Sequence, residues 1–330
     1  MALVRVNASE DGLEAHDVNS TLGDAIAQAS DGGPDPAIIM VHGYKYAPHS
    51  DRHCPHKKIY AAQIGRWPRA LGFGTGTPNE GVAIAFGWYA RGSLRAAHKR
   101  SALLGRQLAA LINLLKQQRP DRPINIISHS MGAQIALNSL QHLPRCSVGR
   151  LALLSGACFH STAQSMLATP AGRDVEVLNI TSRENDLFDA AFERLLGGGM
   201  VEDRAIGQGI DAANVATLQI DCPAVLDALG AWGIHIASPE RRICHWSSYK
   251  RPGVMELYRR FLYKPTTLEF ASLRNLRNSS DPRWSRLINI PSKSITSNVL
   301  ALPRRERPIR WLNHVTDVVT RKEKNNEHAY

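Results

Sequence analysis

The stretch Ile124-Asn125-Ile126-Ile127-Ser128-His129-Ser130-Met131-Gly132-Ala133-Gln134-Ile135-Ala136-Leu137 holds a serine placed where it could act as a nucleophile. The apolar run after Pro123 reads as a buried strand, and Ile135, Leu137 and Leu140 recur at helical spacing. Between them, Ser-His-Ser-Met-Gly is a variant of the G-x-S-x-G turn, with Ser128 in place of the first glycine. A strand reversing sharply into a helix holds its nucleophile in strained backbone, so the flanking residues must be small. Ser130 is then exposed at the strand's end, with the Met131 amide at the helix N-terminus facing any oxyanion formed there. A serine hydroxyl is inert at neutral pH without a base, and the chain offers 13 histidines. His49, His53, Cys54 and His56 crowd into eight residues, but no second ligand pair lies at a zinc-like distance. They read as a polar loop, with no metal and no cofactor expected.

The elements that would position these groups alternate along the chain. Residues 2–6 are expected as an edge strand and 21–29 as a short helix. Ala37–Val41 is a continuous apolar run, as in a parallel strand covered on both faces, and His42-Gly43-Tyr44 follows at its end. Residues 45–80 are irregular and expected to pass over the active-site end of the sheet. Strands are expected at 82–86, 151–154, 175–180 and 216–220, with helices over 93–118, from the turn to about 143, and over 187–196 and 254–262. Trp232 to Ile236, which includes His235, reads as a partly buried strand. The expected fold is α/β: a mostly parallel, doubly wound sheet with helices on both faces.

His42-Gly43 after a buried strand, Ser-His-Ser-Met-Gly at a strand-to-helix turn, an acidic residue after a later strand and a histidine in a late loop follow the order Ser, Asp, His. That arrangement, over residues 35–262, resembles the α/β-hydrolase superfamily, particularly its bacterial esterase- and lipase-like members. The resemblance implies an α/β-hydrolase fold with Ser130 as nucleophile, His245 as base and Asp186 as the residue orienting it. His235 is the competing base, and Asp189, Glu184 and Asp174 are the competing acids. It also implies an oxyanion hole made of the Met131 and Tyr44 amides. His42 is expected to be structural. His129 and Trp88 are expected to meet substrate, with Trp67, Phe73 and Tyr89 as further pocket candidates. The activity implied is hydrolysis of a small-molecule carboxylic ester through an acyl-enzyme. Thioesterase, amidase or acyltransferase activity would use the same groups, and a non-catalytic binding protein on this scaffold is the rival reading.

A chain of 330 residues with 43% hydrophobic and 21% charged residues suits one large domain with an appendage. The division expected is a catalytic domain over 1–264 and a basic, partly irregular C-terminal extension over 265–330. Residues 241–330 carry 19 Lys+Arg against 7 Asp+Glu and the remainder 21 against 22, for a total of +11, so the basic character is C-terminal. Its densest patch, Arg304-Arg305-Glu306-Arg307, is interrupted and matches no nucleic-acid motif, so no nucleic-acid partner is expected. No run approaches the ~20 apolar residues of a membrane helix. Acidic Glu10, Asp11 and Glu14 follow the start closely, and the five scattered cysteines are odd in number. A cytoplasmic protein with reduced thiols is expected.

Overall fold

A computed structural model describes residues 2–17, 21–30, 33–76, 80–197, 203–263, 268–276 and 280–287. Eight strands form one sheet: β1 Ala2–Ala8, β2 Leu13–Ala15, β3 Ala37–Val41, β4 Val82–Trp88, β5 Ile124–His129, β6 Arg150–Leu154, β7 Glu176–Thr181 and β8 Val215–Gln219. Their order is β2-β1-β4-β3-β5-β6-β7-β8. Only the β1–β2 pairing is antiparallel. β1 is therefore second from the edge, because the three residues of β2, which the periodicity does not reveal, pair outside it.

The unbroken apolar strands reflect cover on both faces. Ile39, Val41, Ile84, Phe86 and Ile126 bury into the cluster on one face, and Ile38, Met40, Ala83, Ala85 and Ile127 into that on the other. Fully burying a Val, Ile, Met or Phe side chain among these contributes about 1.5–3 kcal/mol over its exposed state. The helix expected over 93–118 is two helices, Leu94–Leu103 and Gly105–Gln118. Gly105 allows the join to press against the elbow helix, since a Cβ there would lie 2.6 Å from Asn138 Cβ. The irregular 45–80 stretch contains two single-turn helices, Pro55–Lys58 and Trp67–Ala70. Trp232 to Ile236 forms no strand; it follows the helix Pro223–Ala231, and His235 is exposed.

Described residues between 268 and 287 pack against the sheet. Leu268 and Leu273, the latter in the helix Phe270–Asn275, are buried against the core, and Gln219 of β8 bonds Asp281 in both directions. The compact unit runs from Met1 to Asn289. The Arg304–Arg307 patch lies outside the described residues. All five cysteines are free thiols, and burial pushes that of Cys158 up to about 12. Among the described residues no helix is long and apolar enough to cross a membrane.

Candidate active site

The turn after β5 has the strain that its composition implies. Ser130 adopts φ +54°, a left-handed conformation costly for a side chain with a Cβ. Its amide donates to the Leu154 carbonyl at 3.1 Å, and its own carbonyl accepts from the Ala133 and Ala157 amides at 3.0 Å each. These three bonds hold the strain in place. Two glycines make room for it. A Cβ at Gly43 would lie 2.6 Å from Ser130 Cβ, and one at Gly132 would lie 2.7 Å from the Val41 and His42 carbonyls. Ser128 is tolerated in place of glycine because it is small; its hydroxyl donates to the Ala152 carbonyl at 3.4 Å.

His245 reaches this turn from the loop before the short helix Ser247–Lys250. Its Nε2 lies 2.9 Å from Ser130 Oγ, and its Nδ1 lies 2.7 Å from Asn185 Oδ1. An amide oxygen accepts only, so Nδ1 carries the proton and Nε2 is left to accept from the serine. Burial, and secondarily the neighbouring His129, hold the His245 pKa well below its ordinary 6.5, so the resting ring is neutral.

The partner of His245 differs from the one expected. Asp186, expected to orient the histidine, accepts from Arg183 Nη1 at 3.1 Å and from the Trp284 amide at 2.6 Å. Asn185, one residue earlier, occupies the position beside His245. The two residues sit where the 3-10 turn Arg183–Asn185 passes into the helix Asp186–Leu196. Adjacent residues there point about 100–120° apart, so a single-residue offset selects a different side chain. Behind Asn185, its Nδ2 donates to Asp189 Oδ1 at 2.9 Å. Burial pushes the Asp189 carboxyl up to about 7 and also raises that of Asp186.

The other competing acids are engaged elsewhere. Glu184 forms a buried ion pair with Arg251, and its carbonyl accepts from the Cys244 amide at 2.9 Å. These contacts tie the loop after β7 to the loop carrying His245. Asp174 lies at the surface in a two-point bond with Arg145.

His129 and Trp88, both expected to meet substrate, are buried and bonded to other parts of the site. His129 is buried, and its Nε2–H donates to the His245 carbonyl at 3.2 Å. Its ring packs on those of His245 and Tyr249, and burial lowers its pKa to about 4. Trp88 is fully buried and stacked on His42, with its indole N–H donating to the His42 carbonyl at 3.0 Å. His42 in turn accepts the Trp88 amide at Nε2, and burial lowers its pKa to about 3. This pair braces the His42-Gly43-Tyr44 turn under Ser130. Trp67 and Phe73 are likewise core, whereas Tyr89 is half exposed. Phe188, which the sequence does not single out, stacks on the His245 ring at 4.8 Å.

Among the described residues, neither the Met131 nor the Tyr44 amide is spent on an internal hydrogen bond. The cysteine and histidines of the 49–56 loop are dispersed: His49 pairs with Glu14, His56 bonds Asn7 Oδ1, and Cys54 Sγ faces His16. No group of three or more metal-ligating side chains assembles among the described residues.

A mostly parallel sheet in this order, with a strained serine following β5 and a histidine opposite it from a late loop, has the architecture of the α/β-hydrolase fold. The model of a family described as "Alpha/beta hydrolase of unknown function (DUF900)" matches residues 22–183, from the first helix through β7. Among solved structures the chain is similar to MenH from S. aureus, at 10% identity, 56% of this chain, 84% of that one and a TM-score of 0.29. It is also similar to TT1662 from Thermus thermophilus, at 15% identity, 57% of this chain, 80% of that one and a TM-score of 0.28. No curated protein matches in sequence.

Proposed function

We propose that the protein is a serine hydrolase that cleaves small carboxylic esters through an acyl-enzyme. The observation that carries this reading is the pair of contacts on one ring: His245 Nε2 on Ser130 Oγ, and Nδ1 on Asn185 Oδ1. In the forward step the Ser130 oxygen attacks the ester carbonyl carbon while its proton passes to His245 Nε2. The Met131 and Tyr44 amides stabilise the resulting oxyanion, a contribution of about 2.7–4 kcal/mol per donor in sites of this kind. Collapse expels the alkoxide, which takes the proton from His245. Water, deprotonated by the same nitrogen, then releases the acid and restores the serine. Asn185 has the triad's orienting position, so the histidine's tautomer is held by an amide rather than by a carboxylate.

The test is hydrolysis of p-nitrophenyl esters from acetate to palmitate, with Ser130→Ala and His245→Ala beside the unsubstituted protein. Ser130 is 5% exposed, which favours short acyl chains, so turnover should fall from acetate or butyrate towards palmitate. Activity that survives Ser130→Ala would remove the reading.

A further inference from the structure

An asparagine beside a catalytic histidine creates a problem that a carboxylate does not. A carboxylate offers only acceptor oxygens to Nδ1, whereas an amide offers an acceptor on one side and donors on the other. With Oδ1 towards the ring, Nδ1 is protonated and Nε2 can take the serine proton. With Nδ2 towards the ring, Nδ1 must accept, the proton moves to Nε2, and the ring no longer serves as a base for Ser130. Something must therefore choose between the two amide orientations.

We propose that Asp189 is the positioning residue that makes this choice: its carboxylate accepts the Asn185 Nδ2–H, turns Oδ1 towards His245, and places behind the neutral amide the negative charge that a triad acid would put directly on the ring. The inference rests on the proposed roles of Ser130 and His245.

Three observations carry it. The contacts form one line, Ser130 Oγ to His245 at 2.9 Å, His245 to Asn185 at 2.7 Å and Asn185 to Asp189 at 2.9 Å. Asn185 and Asp189 are withdrawn from water, at 2% and 4% exposed, and His245 is only partly exposed, so solvent screens the charge weakly. The fold also makes space for the carboxylate: a Cβ at Gly207 would lie 2.0 Å from Asp189 Oδ2. Asp186, the better acid by sequence position, is committed to Arg183 and the Trp284 amide, which leaves Asp189 behind the asparagine.

The arrangement makes the site sensitive to pH through a group that touches neither serine nor substrate. Asp189 is opposed by Arg283 from the 280–287 segment and Arg183 from the preceding turn, and crowded by Asp186 and Glu193 of its own helix. Burial outweighs the two cations and lifts the carboxyl to about 7. Below that pH Asp189 is protonated and no longer acceptor-only, so both orientations of Asn185 become available. Activity should therefore rise with ionisation of Asp189.

The experiment compares p-nitrophenyl butyrate kinetics and the labelling rate of Ser130 by a fluorophosphonate probe across pH 5–9 in the full chain. Asp189→Asn keeps the shape but removes the charge and the acceptor-only character. We expect kcat to fall about 10-fold or more, labelling to slow in parallel, and the inflection near pH 7 to vanish, with KM little changed. The double variant Asn185→Asp/Asp189→Asn exchanges the two groups, putting the carboxylate on His245 and an amide donor behind it, and should recover most of the loss. Circular dichroism and melting temperature establish that each variant is folded. If Ser130 labels normally but Asp189→Asn keeps the original kcat and pH profile, the inference is overturned and the serine-hydrolase reading stands. An equal loss in the exchanged variant and the single one, both folded, also overturns it. No labelling or turnover by the unsubstituted protein removes the hydrolase reading and the inference with it.

Discussion

Asn185 and Asp186 are consecutive residues with opposite commitments: Asn185 Oδ1 lies 2.7 Å from His245 Nδ1, while Asp186 turns to Arg183 and the backbone of Trp284. Asn185→Ala should therefore cut kcat by about 100-fold or more, the order contributed by an aligned general base. Asp186→Asn should leave kcat within a few-fold and show mainly as lost stability, because it weakens a buried ion pair away from the histidine. Ester kinetics and urea unfolding on the two variants check the contrast; a larger kcat loss in Asp186→Asn would reverse the assignment.

Gly43→Ala should be among the most damaging single-methyl substitutions in the chain. The new Cβ would meet Ser130 Cβ at 2.6 Å and the His129 carbonyl at 3.0 Å, both on the packed, strained elbow. Overpacking of this kind costs about 1–3 kcal/mol and displaces the hydroxyl from His245. Thermal melting should show the destabilisation, and fluorophosphonate labelling should be slower than any loss of folded protein explains.

Acid should destabilise the protein well above the usual carboxylate range. Burial lowers His42 to about 3, His56 to about 2 and His129 to about 4, all against an ordinary 6.5. A histidine whose folded pKa is depressed is protonated first in the unfolded chain, so its neutral burial is fully tolerated above about 6.5 and penalised progressively as pH falls. Asp189 works in the other direction: its raised pKa, about 7, penalises folding as pH rises from its ordinary 3.8. The depressed histidines, His245 among them, outweigh the raised carboxyls of Asp189 and Asp186. Urea midpoints should fall steadily from pH 7 to pH 5; a flat profile across that interval would contradict the buried, neutral assignment.

Arg251→Met should loosen the site from outside it. Arg251 joins the buried Glu184 carboxylate and donates to the Ile220 carbonyl at 2.6 Å, while the Glu184 carbonyl holds the Cys244 amide next to His245. Removing one partner of a buried pair leaves an uncompensated charge and costs about 3–5 kcal/mol. Both melting temperature and kcat should drop, and Arg251→Met/Glu184→Gln should restore part of the stability. A single variant as stable as the parent would show that the pair contributes nothing to the folded state.

The order of elements and the strained turn at Ser130 were legible because each rests on local chemistry. Continuous apolar runs specify strands covered on both faces, and small residues around Ser130 specify a tight strand-to-helix turn. The 13 histidines of the chain could not be ranked by spacing alone; the placement of His245 after the last strand came from the family resemblance. What only the tertiary structure decided is the direction of individual side chains. Asn185 rather than Asp186 faces His245 because a one-residue step in a turn rotates the side chain by about a third of a revolution, and because the 280–287 segment captures Asp186 from 98 residues away. His129 and Trp88 are buried by neighbouring strands and loops, and burial is a property of the assembled sheet that no stretch of the chain carries by itself.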